Sequence, residues 1–259
     1  MELPSPLVAA LGRIRSAGVI TGAGVSAESG IPTYRGRGGL YDDPAEGDAT
    51  VEALTGATFR ADPDRTWRAL ARMVRHAGAA RPNAAHVALA AMERRLERFV
   101  LLTQNVDGLH RAAGSRNVIA IHGDLFRLRC TACAAPAHLG REEMGALAAA
   151  PRCAACGGVV RPEVVLFGEM LPEAAVARLH EELLARPPDL VLAVGTTALF
   201  PYIRAPVLEA RRRGRLTVEV NVERTEISGV VDWFLDGPAS AIVPRLAAAA
   251  GAACYPPGA

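Results

Sequence analysis

Five cysteines occur in the 259 residues, and four of them form two tight pairs, Cys130 with Cys133 and Cys153 with Cys156. The spacing is C-x2-C, nineteen residues, C-x2-C. Two such knuckles can wrap four thiolates around one tetrahedral Zn2+, and because four sulfurs close the coordination sphere the metal would be structural. Free thiols in a reducing compartment are the plainer alternative. A second concentration of chemistry lies in "TQNVDGLH", residues 103–110, where Gln104, Asn105 and Asp107 come directly after the apolar run "RFVLL". On a turn beyond a buried strand these groups can bond a polar ligand. Asn and Asp there can equally cap the helix that follows. His122, in "IHGDLF", also follows an apolar run, and an imidazole with an ordinary pKa of about 6.5 suits proton removal near neutral pH. A packed or capping histidine is the more usual role. His86 and His180 lie within helical patterns and His76 near the end of one, so they read as surface or packing residues.

The stretch "TGAGVSAESGIPTYRG", residues 21–36, places Gly22 and Gly24 after an apolar run. Bare backbone there can approach a pyrophosphate, and helix amides behind it favour the negative charge. Ala27 stands where the dinucleotide fingerprint wants its third glycine, and no ribose-binding acid ends a second strand, which argues against an ordinary dehydrogenase. Ser26, Glu28, Tyr34 and Arg35 suggest a loop that encloses the far half of a dinucleotide. A tight turn with a solvated Arg35 is the alternative.

These groups need strands to carry them. Short apolar runs recur at 18–24, 98–105, 117–123, 189–197 and 216–223, each ending in polar or glycine-rich residues. Runs of that length suit strands buried on both faces. Helix-like stretches lie between several of them, at 83–98 and 201–214, the second closed by a glycine. The alternation predicts an α/β fold with a parallel, doubly wound sheet, whose ligands sit beyond the carboxyl ends of the strands. Two stretches break the pattern: residues 36–82, around "DRTWRALARMVRHA", and 127–160, with the cysteine pairs. Both read as insertions.

The 29 basic and 27 acidic side chains leave a net charge of +2, too little for a nucleic-acid partner to lead. The opening "MELPSPLVAALGRIRSAG" lacks the layout of a secretory signal, and no run approaches a membrane span, so a cytoplasmic protein with no membrane partner is expected. Cys254, in "GAACYPPGA", reads as a bystander thiol.

Taken together, "GAGVSAESGIPTYRG", "TQNVDGLH", "IHG", the cysteine pairs, "RPEVVLFGE", "VGTT" and "VEVN" occur in the order seen in sirtuins, the NAD-dependent protein deacylases, and the resemblance spans roughly residues 12–246. It implies a Rossmann-like large domain (1–36, 83–126 and 161–259) and a small domain made from a helical insertion (37–82) and a zinc ribbon (127–160). NAD would lie extended between them, with one structural Zn2+ in the ribbon. By resemblance, Gly22, Ala23, Gly24 and Ser26 hold the phosphates, with Glu28 nearby and Tyr34 and Arg35 in a loop over the nicotinamide side. Asn105 and Asp107 hold the carboxamide, Gln104 lies beside the ribose, and His122 is the general base. Gly195, Thr196 and Thr197 match a G-T-S motif, with threonine as the third hydroxyl. Asn221, Val222 and Glu223 meet the adenosine ribose, and Ala239 the adenine. Val164, Val165, Phe167, Gly168 and Glu169 lie in the segment that pairs with the substrate peptide as an added strand.

"SAESGIPTYRG" is closest to the bacterial, desuccinylase-like subgroup, whose members carry a Tyr-x-x-Arg pair on the helix here reading "TWRALARMV". Leu70 and Met73 stand at those two positions. An apolar pocket would leave a charged acyl end unpaired, so the expected substrate is an acetyl-lysine or longer apolar acyl-lysine peptide, with Arg68, Arg72 or Arg75 as alternative cations. The expected state is a monomer. Two other readings remain: a mono-ADP-ribosyltransferase, or a non-catalytic NAD-binding or zinc-ribbon interaction module.

Overall fold

The computed structural model describes residues 2–33 and 44–252. Tyr34, Arg35 and Cys254 fall outside the described residues. Strands β1 (Ser16–Thr21), β2 (Arg98–Thr103), β3 (Val118–Ala120), β4 (Gly123–Cys130), β5 (Pro136–Ala137), β6 (Val160–Val164), β7 (Leu190–Val194), β8 (Leu216–Asn221) and β9 (Trp233–Asp236) divide between two sheets. The larger has the order β3-β2-β1-β7-β8-β9 with every pairing parallel. The smaller, β5-β4-β6, is antiparallel. The α/β expectation holds. β1, β2 and β7 are buried along all but at most their first residue, as continuous apolar runs require when helices cover both faces.

The helices are α1 (Ser5–Leu11), α2 (Pro44–Ala53), α3 (Gly56–Ala61), α4 (Pro63–Ala77), α5 (Ala84–Arg95), α6 (Leu109–Ala112), α7 (Arg141–Gly145), α8 (Glu173–Leu179), α9 (Pro201–Arg212) and α10 (Ala239–Ala249). Local chemistry sets several boundaries. Thr55 caps α3 through the Thr58 N–H at 3.0 Å, Asp62 caps α4 through Arg65 N–H at 3.0 Å with Pro63 in its first turn, and Asn83 caps α5 through Ala85 N–H at 2.9 Å. One face of the large sheet buries Leu7, Leu89, Met92 and Leu246 under α1, α5 and α10. The other buries Leu183, Ile203 and Val207 under α9 and the π-helical turn His180–Ala185. A third core joins the helical stretch to the small sheet: Phe59, Trp67 and Leu70 pack with Leu125, Leu128 and Val160. Trp67 is fully buried and its indole N–H donates to Val160 O at 2.9 Å, so its burial stabilises by about 1.5–3 kcal/mol without stranding a donor.

The strand order reverses between β1 and β7, and there the turns that follow the two strands touch. Gly22 N–H donates to Val194 O at 3.2 Å and Gly24 N–H to Gly195 O at 2.9 Å. A Cβ on Gly24 would lie 2.7 Å from Gly195 Cα, and one on Gly195, whose φ is +56°, would lie 2.5 Å from Gly24 C and Val25 N. These glycines are needed for backbone to meet backbone. Gly195→Ala is expected to lose about 2–4 kcal/mol of stability by urea unfolding, because neither backbone can yield. Gly214→Ala, at φ +64° with open space around it, should lose about 1 kcal/mol. Equal losses at the two sites would show that packing at the reversal contributes nothing.

Candidate active site

The reversal between β1 and β7 leaves a crevice beyond the carboxyl ends of the strands. Gln104 spans it. Its Nε2 donates to Thr196 Oγ1 at 2.8 Å, its main-chain N–H donates to Thr21 O at 3.0 Å, and its own carbonyl accepts from the His122 ring. Asn105 is buried, and its Nδ2 donates to Gly22 O and to Ser26 Oγ, each at 3.1 Å, which leaves Oδ1 with no protein partner among the described residues. Ser26 Oγ–H donates to Asp107 Oδ2 at 2.7 Å, while Asp107 Oδ1 accepts from Leu109 N–H at 2.9 Å. Asp107 therefore holds the start of α6 and braces Ser26 at the crevice.

His122 Nδ1–H donates to Gln104 O at 3.0 Å, and Nε2 lies 2.8 Å from the Tyr202 hydroxyl. Burial pushes the imidazole pKa below its usual value, against the opposing pull of the Gln104 carbonyl. Phe200 and Tyr202 stack on each other, centroids 5.3 Å apart, and both meet the imidazole edge-on. Sequence reasoning missed Tyr202, which lies 80 residues away in the helix-like stretch after "VGTT". It also gave no site role to His86 and His110. His86 Nδ1 accepts from Asn83 N–H, so Nε2 carries the proton and faces Ser26 Oγ at 3.4 Å. His110 Nε2 meets Thr21 Oγ1 at 2.9 Å, and its Nδ1 is buried without a partner. Burial lowers the His86 pKa to about 4, against the pull of Asp107, and lowers that of His110 well below the usual value.

His122 precedes β4 directly, and its carbonyl accepts from Val165 N–H at 2.9 Å. Val164 ends β6, and Phe167 exchanges bonds with the other side: its N–H donates to Leu54 O at 2.9 Å and its carbonyl accepts from Gly56 N–H at 3.0 Å. Phe167 is 44% exposed, enough to cover a ligand. Gly168 follows at φ +81°. Glu169 turns inward. Burial works against its charge, but bonds from Arg161 and Leu166 N–H hold its carboxyl below the usual range, so it serves the loop.

A pocket of about 60 Å³ opens among Ala23, Ser26, Ile31, Asn105 and Asp107, and Met73, Val74 and Ala77 of α4 form another wall. Leu70 and Met73 separate here: Met73 lines the pocket, whereas Leu70 is buried in the third core. Arg68 pairs with Asp62, Arg75 bonds Gly145 O, and Arg72 is exposed, so none of the three lines it. Arg141 does, with its guanidinium 4.6 Å over the Phe126 ring, and the sequence offered no sign of that.

At the far end of the crevice Asn221 Nδ2 donates to Thr196 O at 3.0 Å, and Val222 and Glu223 are exposed beyond β8. Thr197 is exposed, with room for its methyl, while Thr196 is buried. Ala239 is buried at the first residue of α10. Glu28 is engaged elsewhere: its carboxylate accepts from the Ser240 N–H at 2.9 Å and from the Ser240 hydroxyl, an acid at a helix N-terminus that ties the glycine turn to α10.

The two cysteine knuckles are built alike, since Ala134 N–H returns to Cys130 O and Gly157 N–H to Cys153 O. The four Sγ atoms lie within 4.8 Å of one another, with Cys130–Cys156 at 3.5 Å and Cys133–Cys153 at 3.7 Å. Disulfides need about 2.05 Å, whereas a tetrahedron of Zn–S bonds has edges of about 3.8 Å. Main-chain N–H groups of Cys133 and Ala132 lower the Cys130 thiol to about 6. The residues fit one Zn2+.

Residues 22–200 match the model of the Sir2 family. The chain is 48% identical to NAD-dependent protein deacylase 2 of Pseudomonas aeruginosa, over 95% of this chain and 98% of the relative. A crystal structure of a Sir2 homolog–NAD complex superposes with a TM-score of 0.81 at 36% identity, covering 96% of this chain and 94% of that one. Sir2Af2 bound to a myristoylated histone peptide gives a TM-score of 0.76 at 28% identity, covering 95% and 94%.

Elemental analysis should find one zinc per chain. Its removal by a chelator should lower Tm by about 5 °C or more, as expected when four thiolates lose their common partner; an unchanged Tm would make the cluster incidental. The three depressed imidazoles set a second outcome. His86, His110 and His122 are neutral when folded but titrate near 6.5 when unfolded, so the unfolded chain binds more protons below that pH. Their contribution is intact above pH 6.5 and is lost as pH falls toward 4. Thermal melts should show Tm declining from pH 6.5 downward, and a flat profile from 6.5 to 5.5 would mean that these rings take up protons in the fold as readily as in the unfolded chain.

Proposed function

The chain belongs to the Sir2 family, and from that premise we propose that it is an NAD-dependent protein-lysine deacylase in which His122 is the general base. The observation that carries this reading is the orientation of His122. Its Nδ1–H is committed to Gln104 O, so Nε2 is the basic nitrogen, set in the crevice where the β1, β2 and β7 turns converge. A non-catalytic binding module has no use for a basic imidazole nitrogen directed into the crevice.

Bound NAD supplies an activated glycosidic bond, since its cationic nicotinamide is a ready leaving group. The chain's own groups then do the following. Asn105 offers its unpartnered Oδ1 to the carboxamide, and Asp107, fixed by Ser26, completes that pocket. Ala23 and Ile31 exclude water from its walls. Gly22, Gly24, Gly195 and Thr196 form the turn pair beneath the phosphates, Gln104 lies beside the nicotinamide ribose, and Thr197, Asn221, Val222, Glu223 and Ala239 serve the adenosine half. His122 Nε2 removes the proton of a ribose hydroxyl. An acyl-lysine peptide lies against Val164–Glu169 as an added strand, with Phe167 over the lysine stem. The products are free lysine, nicotinamide and O-acyl-ADP-ribose. Among the described residues no helix is long and apolar enough to cross a membrane; action as a monomer in the cytoplasm is part of the same proposal.

Mixing the pure protein with NAD and a peptide carrying acetyl-, butyryl-, myristoyl- or succinyl-lysine, then weighing all products, tests the reading. Loss of the acyl mass from the peptide supports deacylation, and a gain of ADP-ribose would replace it with ADP-ribosyl transfer. His122→Ala should cost about 10²–10⁴-fold in completed deacylation, even where nicotinamide release persists. Met73, Val74 and Ala77 make the pocket wall apolar, so acetyl-lysine should be processed at least about tenfold faster than succinyl-lysine, the cost of leaving a carboxylate poorly paired. Faster succinyl removal would transfer the specificity role to Arg141.

A further inference from the structure

A base must offer its lone pair, and that of His122 is already engaged. The Gln104 carbonyl can only accept, so Nδ1 carries the proton and Nε2 is bare. The Tyr202 hydroxyl, 2.8 Å from Nε2, must therefore be the donor of that bond. An imidazole nitrogen has one in-plane lone pair, so it cannot accept from Tyr202 and from a sugar hydroxyl together. The phenol is firmly placed: Tyr202 follows Pro201 in the first turn of α9, stacks on Phe200 with an interplanar angle of 12°, and meets the imidazole edge-on at 6.2 Å. It is also half-buried, so its hydroxyl proton can turn toward solvent.

A phenol, unlike a carbonyl or an amide N–H, can change from donor to acceptor without moving its oxygen. We propose that Tyr202 is a positioning residue for His122, holding Nε2 while no sugar is bound, yielding it to the sugar hydroxyl, and accepting from Nε2–H after the proton has crossed. The sugar O–H bond breaks with its electron pair left on oxygen, an N–H bond forms on Nε2, the positive charge resides on the imidazolium, and the Tyr202 proton rotates away. Without the phenol, the Nε2–H of the imidazolium would lose its protein acceptor. Gln104 from the end of β2 and Tyr202 from α9 are the polar partners of the ring, and Phe200 its apolar neighbour. Among the described residues no carboxylate or cation bonds or pairs with either His122 or Tyr202. Burial lowers the pKa of the imidazole and raises that of the phenol.

This inference rests on His122 being the base. Tyr202→Phe keeps the ring and its stack and removes only the hydroxyl. Because a hydrogen bond to the charged form is stronger than one to the neutral form, its loss should move the acid limb of kcat/KM for NAD down by about half a pH unit or more. The kcat should fall about 5- to 20-fold, with KM for NAD changed less than about twofold. The NMR titration of His122 in the substrate-free chain should shift in the same direction. A reduced kcat with an unmoved limb and titration would assign Tyr202 to packing alone, and an unchanged kcat with an unchanged limb would show the bond to be idle; either overturns the proposal. If Tyr202→Phe does not fold, the full chain made with 3-fluorotyrosine, whose phenol accepts more weakly, should move the limb the same way, and an unmoved limb there is equally fatal. His122→Ala keeps the two questions apart. Retained deacylation in that variant would sink the reading of the base, whereas its loss together with an unmoved Tyr202→Phe limb would sink only the role of Tyr202.

Discussion

The backbone contact between the turns after β1 and β7 is the constraint from which the rest of the site follows. Two strands that start helices on opposite faces of a sheet would ordinarily leave their carboxyl ends splayed apart, and that opening is where ligands settle in open parallel sheets. Here the opening is pinned at its base by Gly22 and Gly24 lying against Gly195 and Thr196. The glycines in "GAG" are usually credited with letting backbone approach a ligand. In this fold their missing side chains are demanded first by the neighbouring turn, and the approach to a nucleotide is a consequence of the shape that results. Gln104 can bond Thr21 O and Thr196 Oγ1 together only because those two turns are this close.

A second constraint acts from the other direction. β4 begins on the residue after His122 and ends on Cys130, and β6 begins four residues after Cys156 and ends on Val164. The two strands are paired along this span, with a shift in register between Asp124 and Leu128. One end of the ribbon is thus gathered by the cysteine cluster, and the other sets His122 and the segment after β6 side by side, joined through Val165 N–H and His122 O. A Zn2+ held by the four thiolates would do no chemistry but would tie the two strands together at that end. Trp67 carries that rigidity into α4, since its indole bonds Val160 O in the same ribbon and Met73 lies on the same helix two turns along.

The legibility of the sequence follows from these constraints. Continuous apolar runs reveal the central strands because helices cover both faces, and the polar or glycine-rich ends of 18–24 and 189–197 are the touching turns after Thr21 and Val194. β9 was not foreseen because "WFLD" at the sheet edge is only partly buried and has no apolar run to announce it. Residues 127–160 hid an antiparallel sheet whose burial alternates and whose strands are short. In the site, Asn105, Asp107, Ser26 and His122 were legible from residue type and position after a strand. Tyr202, His86 and Arg141 were not, since the first two lie in helix-like stretches and Arg141 in the stretch read as an insertion, and only the tertiary fold brings them to the crevice. Leu70 and Met73, three residues apart on one face of α4, both pack on the third core, and only Met73, nearly a turn further along, also reaches the pocket.

The histidines show how the same residue type is divided among roles by its partners. His86 accepts from a helix-capping N–H and gives its proton toward Ser26, so it hands polarity forward to Asp107 and stays neutral. His110 gives its one proton to Thr21, whose hydroxyl is already committed to Thr103, and it is closed to traffic in protons. His122 alone meets a carbonyl on one side and a reversible partner on the other. Burial depresses all three, and burial by itself therefore selects none of them as a base. What distinguishes His122 from the other two is that its free nitrogen faces a hydroxyl able to turn round, at the edge of a crevice, instead of one locked into a buried chain of donors.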